Sequence, residues 1–192
     1  MIQNLARGVQ AFTSNAFLVT GGTTALVDAG ANFDVVSAVE SHVDALDRVY
    51  LTHTHPDHVE NLPALRDSFE VETWGFDPEN GYVDNPVADG ETVPIGDHDY
   101  RALHTPGHKP DHLCFYSPAA RVCFAGDLVF ENGGFGRTDL PSGDRETLVE
   151  SIEYLADVVA DDLSALYVGH GPSVTERPAD DVQMALRAAR LG

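Results

Sequence analysis

Positive charge is what this chain has least of. Lysine and arginine together number 11 against 31 aspartates and glutamates, a formal net charge of −20, and Lys109 is the sole lysine. Such a surface repels phosphate backbones and anionic headgroups in dilute buffer, which argues against nucleic acid and membranes as partners. It also repels itself. In molar salt the screening length falls to roughly 3 Å and a carboxylate-rich surface becomes a hydrated coat, so the composition predicts a salt-loving (halophilic) source. Long apolar runs are missing too. No segment approaches the ~18 consecutive apolar residues of a membrane span, and Met1-Ile2-Gln3-Asn4 does not open a basic and then apolar secretion signal. The expectation is a soluble cytoplasmic protein. Cysteine is scarce: Cys114 and Cys123 are too few for a disulfide framework. Both are expected as reduced, small core residues, opposite one another across a hairpin that turns at Ser117-Pro118-Ala119-Ala120 and pairs Tyr116 with Arg121.

What is present suffices for a core. With 192 residues, 43% of them hydrophobic, the chain reads as one domain spanning 1–192. Ala16-Phe17-Leu18-Val19-Thr20 and Thr24-Ala25-Leu26-Val27-Asp28, joined by Gly21-Gly22-Thr23, predict a hairpin that Asp28-Ala29-Gly30 closes. Apolar residues from Val35 to Leu46 recur near helical spacing and predict a helix over 33–46, capped by Asn32 or Asp34. A strand at Val49-Tyr50-Leu51 follows, then a short helix over 59–66 despite Pro63, and a strand at Val71-Glu72-Thr73-Trp74. The stretch 75–99, rich in proline and glycine, predicts loops with short strands near 91–94. Beyond it, strands are predicted over 100–104, 113–116, 121–125 and 165–168, and helices over 144–157 and 180–191.

The densest chemistry lies in Thr52-His53-Thr54-His55-Pro56-Asp57-His58, which reads H-x-H-x-D-H. Imidazole and carboxylate in this density suit a divalent first-row metal, and no cysteine stands nearby to make a closed structural zinc site. Side chains at i and i+2 of an extended segment point the same way, so His53 and His55 can share one ion. Asp57 and His58 diverge from that pair as the chain turns into a helix, leaving room for a second ion. A polar surface loop rarely gathers ligand types so tightly. His108, Asp127 and His170 likewise sit just past predicted strands, and a glycine precedes each. Small neighbours permit tight turns and close approach.

These motifs, H-x-H-x-D-H followed by T-P-G-H at 105–108, G-D at 126–127 and G-H-G at 169–171, resemble the metallo-β-lactamase superfamily over essentially the whole chain to Gly171. The resemblance implies an α+β fold, an αββα sandwich with the site along one edge of two packed sheets. It implies one metal held by His53, His55 and His108, a second held by Asp57, His58 and His170, and Asp127 bridging them. The cofactors implied are two divalent ions, zinc foremost, with iron or manganese acceptable to the same donors. Two such ions outweigh the charges of Asp57 and Asp127, and the excess favours a shared hydroxide as nucleophile, with Asp57 as the catalytic residue that orients it.

The run Gly134-Phe135-Gly136-Arg137-Thr138-Asp139-Leu140-Pro141-Ser142-Gly143-Asp144 is similar to the G-R-T-D-L-P-x-G-D signature of glyoxalase II-like (hydroxyacylglutathione hydrolase-like) enzymes. The function so implied is hydrolysis of a small acyl thioester. The alternatives are a persulfide dioxygenase, holding one iron through the residues matching His53, His108 and Asp127, and a lactonase. Full-length glyoxalase II enzymes carry a C-terminal helical domain that helps bind glutathione; this chain ends soon after Gly171, so no such contacts are expected. Arg137 is the candidate substrate-binding residue, a guanidinium for a substrate carboxylate, with a tie to Asp139 or Asp144 as its alternative. His112 is expected to orient a metal ligand or loop from behind, or only to cap a strand. Lys109 either steers anionic substrates or is merely exposed. His104 is expected to be structural, and His42 and His98 exposed. None of the seven metal-ligand positions is missing, which favours an enzyme over a binding module.

Moving the protein from dilute buffer to molar potassium chloride is expected to raise its melting temperature, followed by circular dichroism. A melting temperature that stays level or falls refutes the salt-loving reading.

Overall fold

Strands that are apolar on both faces need cover on both sides, and that requirement sets the architecture. A computed structural model of the chain describes residues 1–159 and 161–191. Its strands are β1 (Ile2–Asn4), β2 (Phe17–Val19), β3 (Ala25–Val27), β4 (Arg48–Tyr50), β5 (Thr73–Gly75), β6 (Asn85–Pro86), β7 (Thr92–Ile95), β8 (His98–His104), β9 (Leu113–Ser117), β10 (Val122–Gly126) and β11 (Ala165–Val168). Its α-helices are α1 (Val35–Glu40), α2 (Pro56–Val59), α3 (Leu62–Phe69), α4 (Arg145–Val158) and α5 (Pro178–Leu191). Among the described residues the strands form two sheets, ordered β1-β2-β3-β4-β5-β6 and β11-β10-β9-β8-β7.

Period-two alternation divides the apolar side chains among three layers. Phe17, Val19, Val27 and Tyr50 of the first sheet meet Tyr100, Leu113, Phe115 and Phe124 of the second between the sheets. Leu18, Leu26 and Val49 turn outward and pack with Val35 and Val39 of α1 and Leu62 and Leu65 of α3. On the other side Leu103, Cys114, Cys123 and Leu166 pack with Leu148, Ile152 and Leu155 of α4 and Val182 and Ala185 of α5. The result is the αββα sandwich.

Strands β3 and β4 run parallel, and so do β10 and β11; β8 and β10 both run antiparallel to β9. The carboxyl ends of β3 and β4 therefore lie on one edge of the first sheet, and those of β8, β10 and β11 on one edge of the second. The two edges are laced together, with Leu113 N–H donating to the Thr52 carbonyl at 2.6 Å and Asn15 N–H to the Gly169 carbonyl at 2.7 Å.

Four local expectations are corrected. The helix predicted over 33–46 is only α1, started by the Asp34 carboxylate accepting from Ser37 N–H at 3.0 Å. It stops where the Ser41 hydroxyl turns back to the Ala38 carbonyl at 2.7 Å, a bond that competes with helix continuation. Leu46 stays buried although it lies outside the helix. The helix predicted over 59–66 is two, and Pro56 and Pro63 each stand in a first turn, where a missing N–H costs nothing. The strand expected at Val71–Trp74 begins two residues later, as β5. In the β9–β10 hairpin Ser117 pairs with Val122, so Cys123 faces Tyr116 and not Cys114. Arg121, at φ 57°, takes the left-handed turn position and moves the register. The cysteines still share one core layer as free thiols, and a hydrogen bond to Cys114, with burial, pushes the Cys123 thiol well up.

Leu148 backs the loop before His108: a Cβ built on Gly107 would lie 2.3 Å from the Leu148 nitrogen, and Gly107 sits at φ +121°. Leu148→Ala, at a fully buried position, is expected to cost about 2–5 kcal/mol in denaturant unfolding. A loss below about 0.5 kcal/mol, the scale of surface substitutions, contradicts this packing.

Candidate metal centre

The loop leaving β4 stays extended through His55, whose φ and ψ are −68° and 147°, and then enters α2 at Pro56. This change of backbone aims His53 and His55 one way and Asp57 and His58 another. His108 follows β8, Asp127 follows β10 and His170 follows β11, all at the laced edge. The structure brings together all seven residues predicted from the sequence. His55 Nδ1 lies 3.0 Å from His53 Nε2 and 2.9 Å from His108 Nε2. His170 Nε2 lies 2.9 Å from Asp57 Oδ2, and His58 Nε2 is 3.8 Å from that oxygen. Asp127 reaches both groups: its Oδ2 is 3.5 Å from His108 and from His170, and its Oδ1 is 3.5 Å from His58.

The donor set fits divalent ions. His58 Nε2 and Asp127 Oδ1 are buried polar atoms with no hydrogen-bond partner, and each faces the other. Unpaired atoms of this kind are costly unless something binds there. Two clusters of metal-type donors, His53/His55/His108 and Asp57/His58/His170, form around them, and His53, His58 and Asp127 make a third. Burial holds His53 well below its ordinary pKa, and burial together with His108 brings His55 down to about 4. Both are neutral at neutral pH, the form that donates a lone pair to a metal. His58 goes the other way. Burial alone would lower it, but the Asp28 and Asp127 carboxylates raise it to about 10, a preference for positive charge that a cation bound at this point would satisfy. Asp127 is pulled well below the carboxylate range, because His58, His170 and His108 outweigh its burial.

The second tier contains a residue the sequence reading did not select. Asp28, at the end of β3, accepts from Thr52 N–H and from the Thr52 hydroxyl, both at 2.8 Å, and pairs with His58 Nδ1 at 2.9 Å. This leaves His58 Nε2 to face the cluster. Asp28 adopts φ 59° to do so, a conformation that aspartate tolerates better than most residues. Its signal was a carboxylate just past a strand and close to a glycine, the pattern shared by the other ligand types.

His112 is buried, and burial brings it down to about 3, so it is neutral. Its Nε2 accepts the Asp127 N–H at 3.0 Å and its Nδ1 lies 2.8 Å from the Thr105 hydroxyl, which fixes the Asp127 backbone. The Arg137 carbonyl takes His108 Nδ1 at 2.8 Å, while its guanidinium makes two 2.7 Å bonds to Asp139, the alternative role considered for it. Lys109 is neither free nor steering: its amine is bound by Asp111 and Thr54, and Thr54 in turn donates to Asp111. His104 stacks on Phe76 at 3.7 Å, a structural place. Gly169 leaves room for the site, since a Cβ there would lie 2.0 Å from Asp127 Oδ1 and 2.9 Å from His58 Cε1.

A cleft of about 520 Å³ opens beside the cluster, bordered by His55, Asp57, His108, Asp127 and His170 and walled mainly by aromatic and aliphatic side chains. Larger hollows of about 850 and 950 Å³ lie elsewhere and touch none of the seven residues.

The family profile described as Metallo-beta-lactamase superfamily matches residues 9–170. Hydroxyacylglutathione hydrolase GloC of Haemophilus influenzae is 30% identical over 192 aligned positions, covering 87% of this chain and 90% of that protein. Hydroxyacylglutathione hydrolase of Brucella ovis is 34% identical over 150 positions, 77% of this chain but 56% of that relative, so the chain spans little more than half its length. Among solved structures, TTHA1623 in a di-iron-bound form matches with TM-score 0.75 and 25% identity over 98% of this chain and 96% of that one.

Asp28→Asn removes the charge that orients His58, and is expected to weaken zinc binding about 10–100-fold in a chelator competition titration. Unchanged affinity would show that His58 needs no such partner.

Proposed function

Because the chain belongs to the metallo-beta-lactamase superfamily, we propose that this metal-dependent hydrolase cleaves small acyl thioesters. We assign one ion to His53, His55 and His108, a second to Asp57, His58 and His170, and the shared position to Asp127. The observation that carries this reading is the pair of donor clusters joined by one carboxylate, opening onto a ligand-sized cleft. Relatives bearing the name hydroxyacylglutathione hydrolase support the thioester class.

Divalent ions at such a site supply a water that ionises near neutral pH and a Lewis acid for the carbonyl oxygen. The rest is done by the chain. Asp57 borders the cleft, and only its Oδ2 is engaged by His170. Burial would raise its pKa, but the His170 hydrogen bond and the neighbouring His58 outweigh it, so it stays an anion at neutral pH. Its other oxygen would accept a hydrogen bond from the attacking water and so set the direction of attack. His112 and Asp28 keep Asp127 and His58 in place, so the donors need little rearrangement on loading.

Metal-loaded protein is expected to hydrolyse S-lactoylglutathione or phenyl thioacetate. Asp57→Asn should lower kcat at least about 100-fold, and metal content measured on the same sample separates ligand loss from lost orientation. Oxygen uptake with glutathione persulfide and no ester cleavage would replace this reading with the dioxygenase, and faster opening of a homoserine lactone than of either thioester would replace it with the lactonase.

A further inference from the structure

We propose that the cleft selects a thioester whose carrier is uncharged and apolar, and that Phe12 is the specificity-determining residue. This rests on the thioester reading above.

Phe12 is 74% exposed, yet its ring stacks on the His170 imidazole, centroids 5.6 Å apart and planes at 15°. The loop between β1 and β2 holds it there. The Phe12 carbonyl accepts from Asn32 Nδ2 at 2.8 Å, Ser14 N–H donates to the Asp57 carbonyl at 3.1 Å, and Asn15 Nδ2 donates to the carbonyls of Val168 and Gly171. The tip is therefore tied to the loops that carry Asp57 and His170. Across the cleft, Phe130, Phe135 and Leu140 complete an apolar wall. Phe135 is fixed by the bridge to Val129 and by the Arg145 guanidinium 4.1 Å above its ring. An exposed aromatic ring held in place beside other aromatics gains most by covering an apolar group.

Among the described residues, Arg137 is the one lysine or arginine that lines the cleft, but Asp139 takes its guanidinium through two 2.7 Å bonds. Lys109 is committed to Asp111 and Thr54. A carrier bearing carboxylates, as glutathione does, finds no uncommitted lysine or arginine here and approaches a chain of formal charge −20. An aromatic or branched apolar carrier finds a preformed surface.

The test is binding of two non-hydrolysable thioethers with the same acetonyl group, one on glutathione and one on benzyl mercaptan. Each is titrated by calorimetry into zinc-loaded and metal-free full-length protein. The benzyl compound is expected to bind at least about tenfold tighter. The preference should persist in molar potassium chloride, where screening removes the charge contribution. Phe12→Ser should shrink it to less than about threefold and Phe12→Tyr should retain it; both substitutions fall on an exposed loop residue. Equal or tighter binding of the glutathione compound, a preference untouched by Phe12→Ser, or no measurable binding of either compound overturns the proposal. Binding is read directly, so failure to cleave either parent ester counts against the thioesterase reading alone.

Discussion

Seven donors converge in a space where they can satisfy one another only in part. Three imidazole nitrogens lie within 3.0 Å of a neighbour, two of the rings are neutral, and a carboxylate oxygen and an imidazole nitrogen face each other at 3.5 Å with no other partner. In a buried setting a bound cation would relieve such an arrangement, because facing lone pairs repel and an unpaired polar atom costs about 1–3 kcal/mol. The strands, the lacing between the sheets and the missing side chain at Gly169 all serve to hold these groups closer than they would choose.

What resists that repulsion is a second tier of polar groups bound to the backbone as much as to the ligands. Asp28 holds His58 and the amide of Thr52 together, which ties the first ligand loop to the end of β3. His112 holds the amide of Asp127, and the Arg137 carbonyl holds His108. Each bond leaves the partner's other ring nitrogen or its carboxylate pointing inward. A network in which every outer member is satisfied stiffens a site, whereas one missing member would leave a buried charge exposed to its full desolvation cost.

The inner donors were legible in the sequence and the outer tier was not, for a physical reason. His53, His55, Asp57 and His58 are neighbours along the chain, and His108, Asp127 and His170 share the rule of standing after a glycine at a strand end, so local pattern carried them. Asp28 meets His58 across thirty residues, a contact that exists only once β3 and β4 pair. The alternation of Phe17, Leu18 and Val19 announced a strand, and only the packed sheets show that both of its faces are interior. Periodicity over 33–46 overstated α1 because a coil can bury Leu46 as well as a helix can. The β9–β10 register turned on whether Ser117 pairs or turns, and the left-handed Arg121 decided it.

The acidic surface poses a selectivity problem that the donor chemistry answers. With 31 acidic residues, the chain offers divalent ions many oxygen sites. Hard ions such as magnesium and calcium prefer oxygen and keep much of their water, so a surface of carboxylates attracts them weakly and diffusely. Five of the seven inner donors are imidazoles, and nitrogen shifts preference away from magnesium and calcium toward ions such as zinc and iron. Lys109 reinforces the distinction. Its charge, held between the two histidine loops by Asp111 and Thr54, helps to keep His55 unprotonated, after the larger effects of burial and His108. A proton is thus a poor competitor for that nitrogen at neutral pH, and the one lysine in a chain of carboxylates adds to that effect.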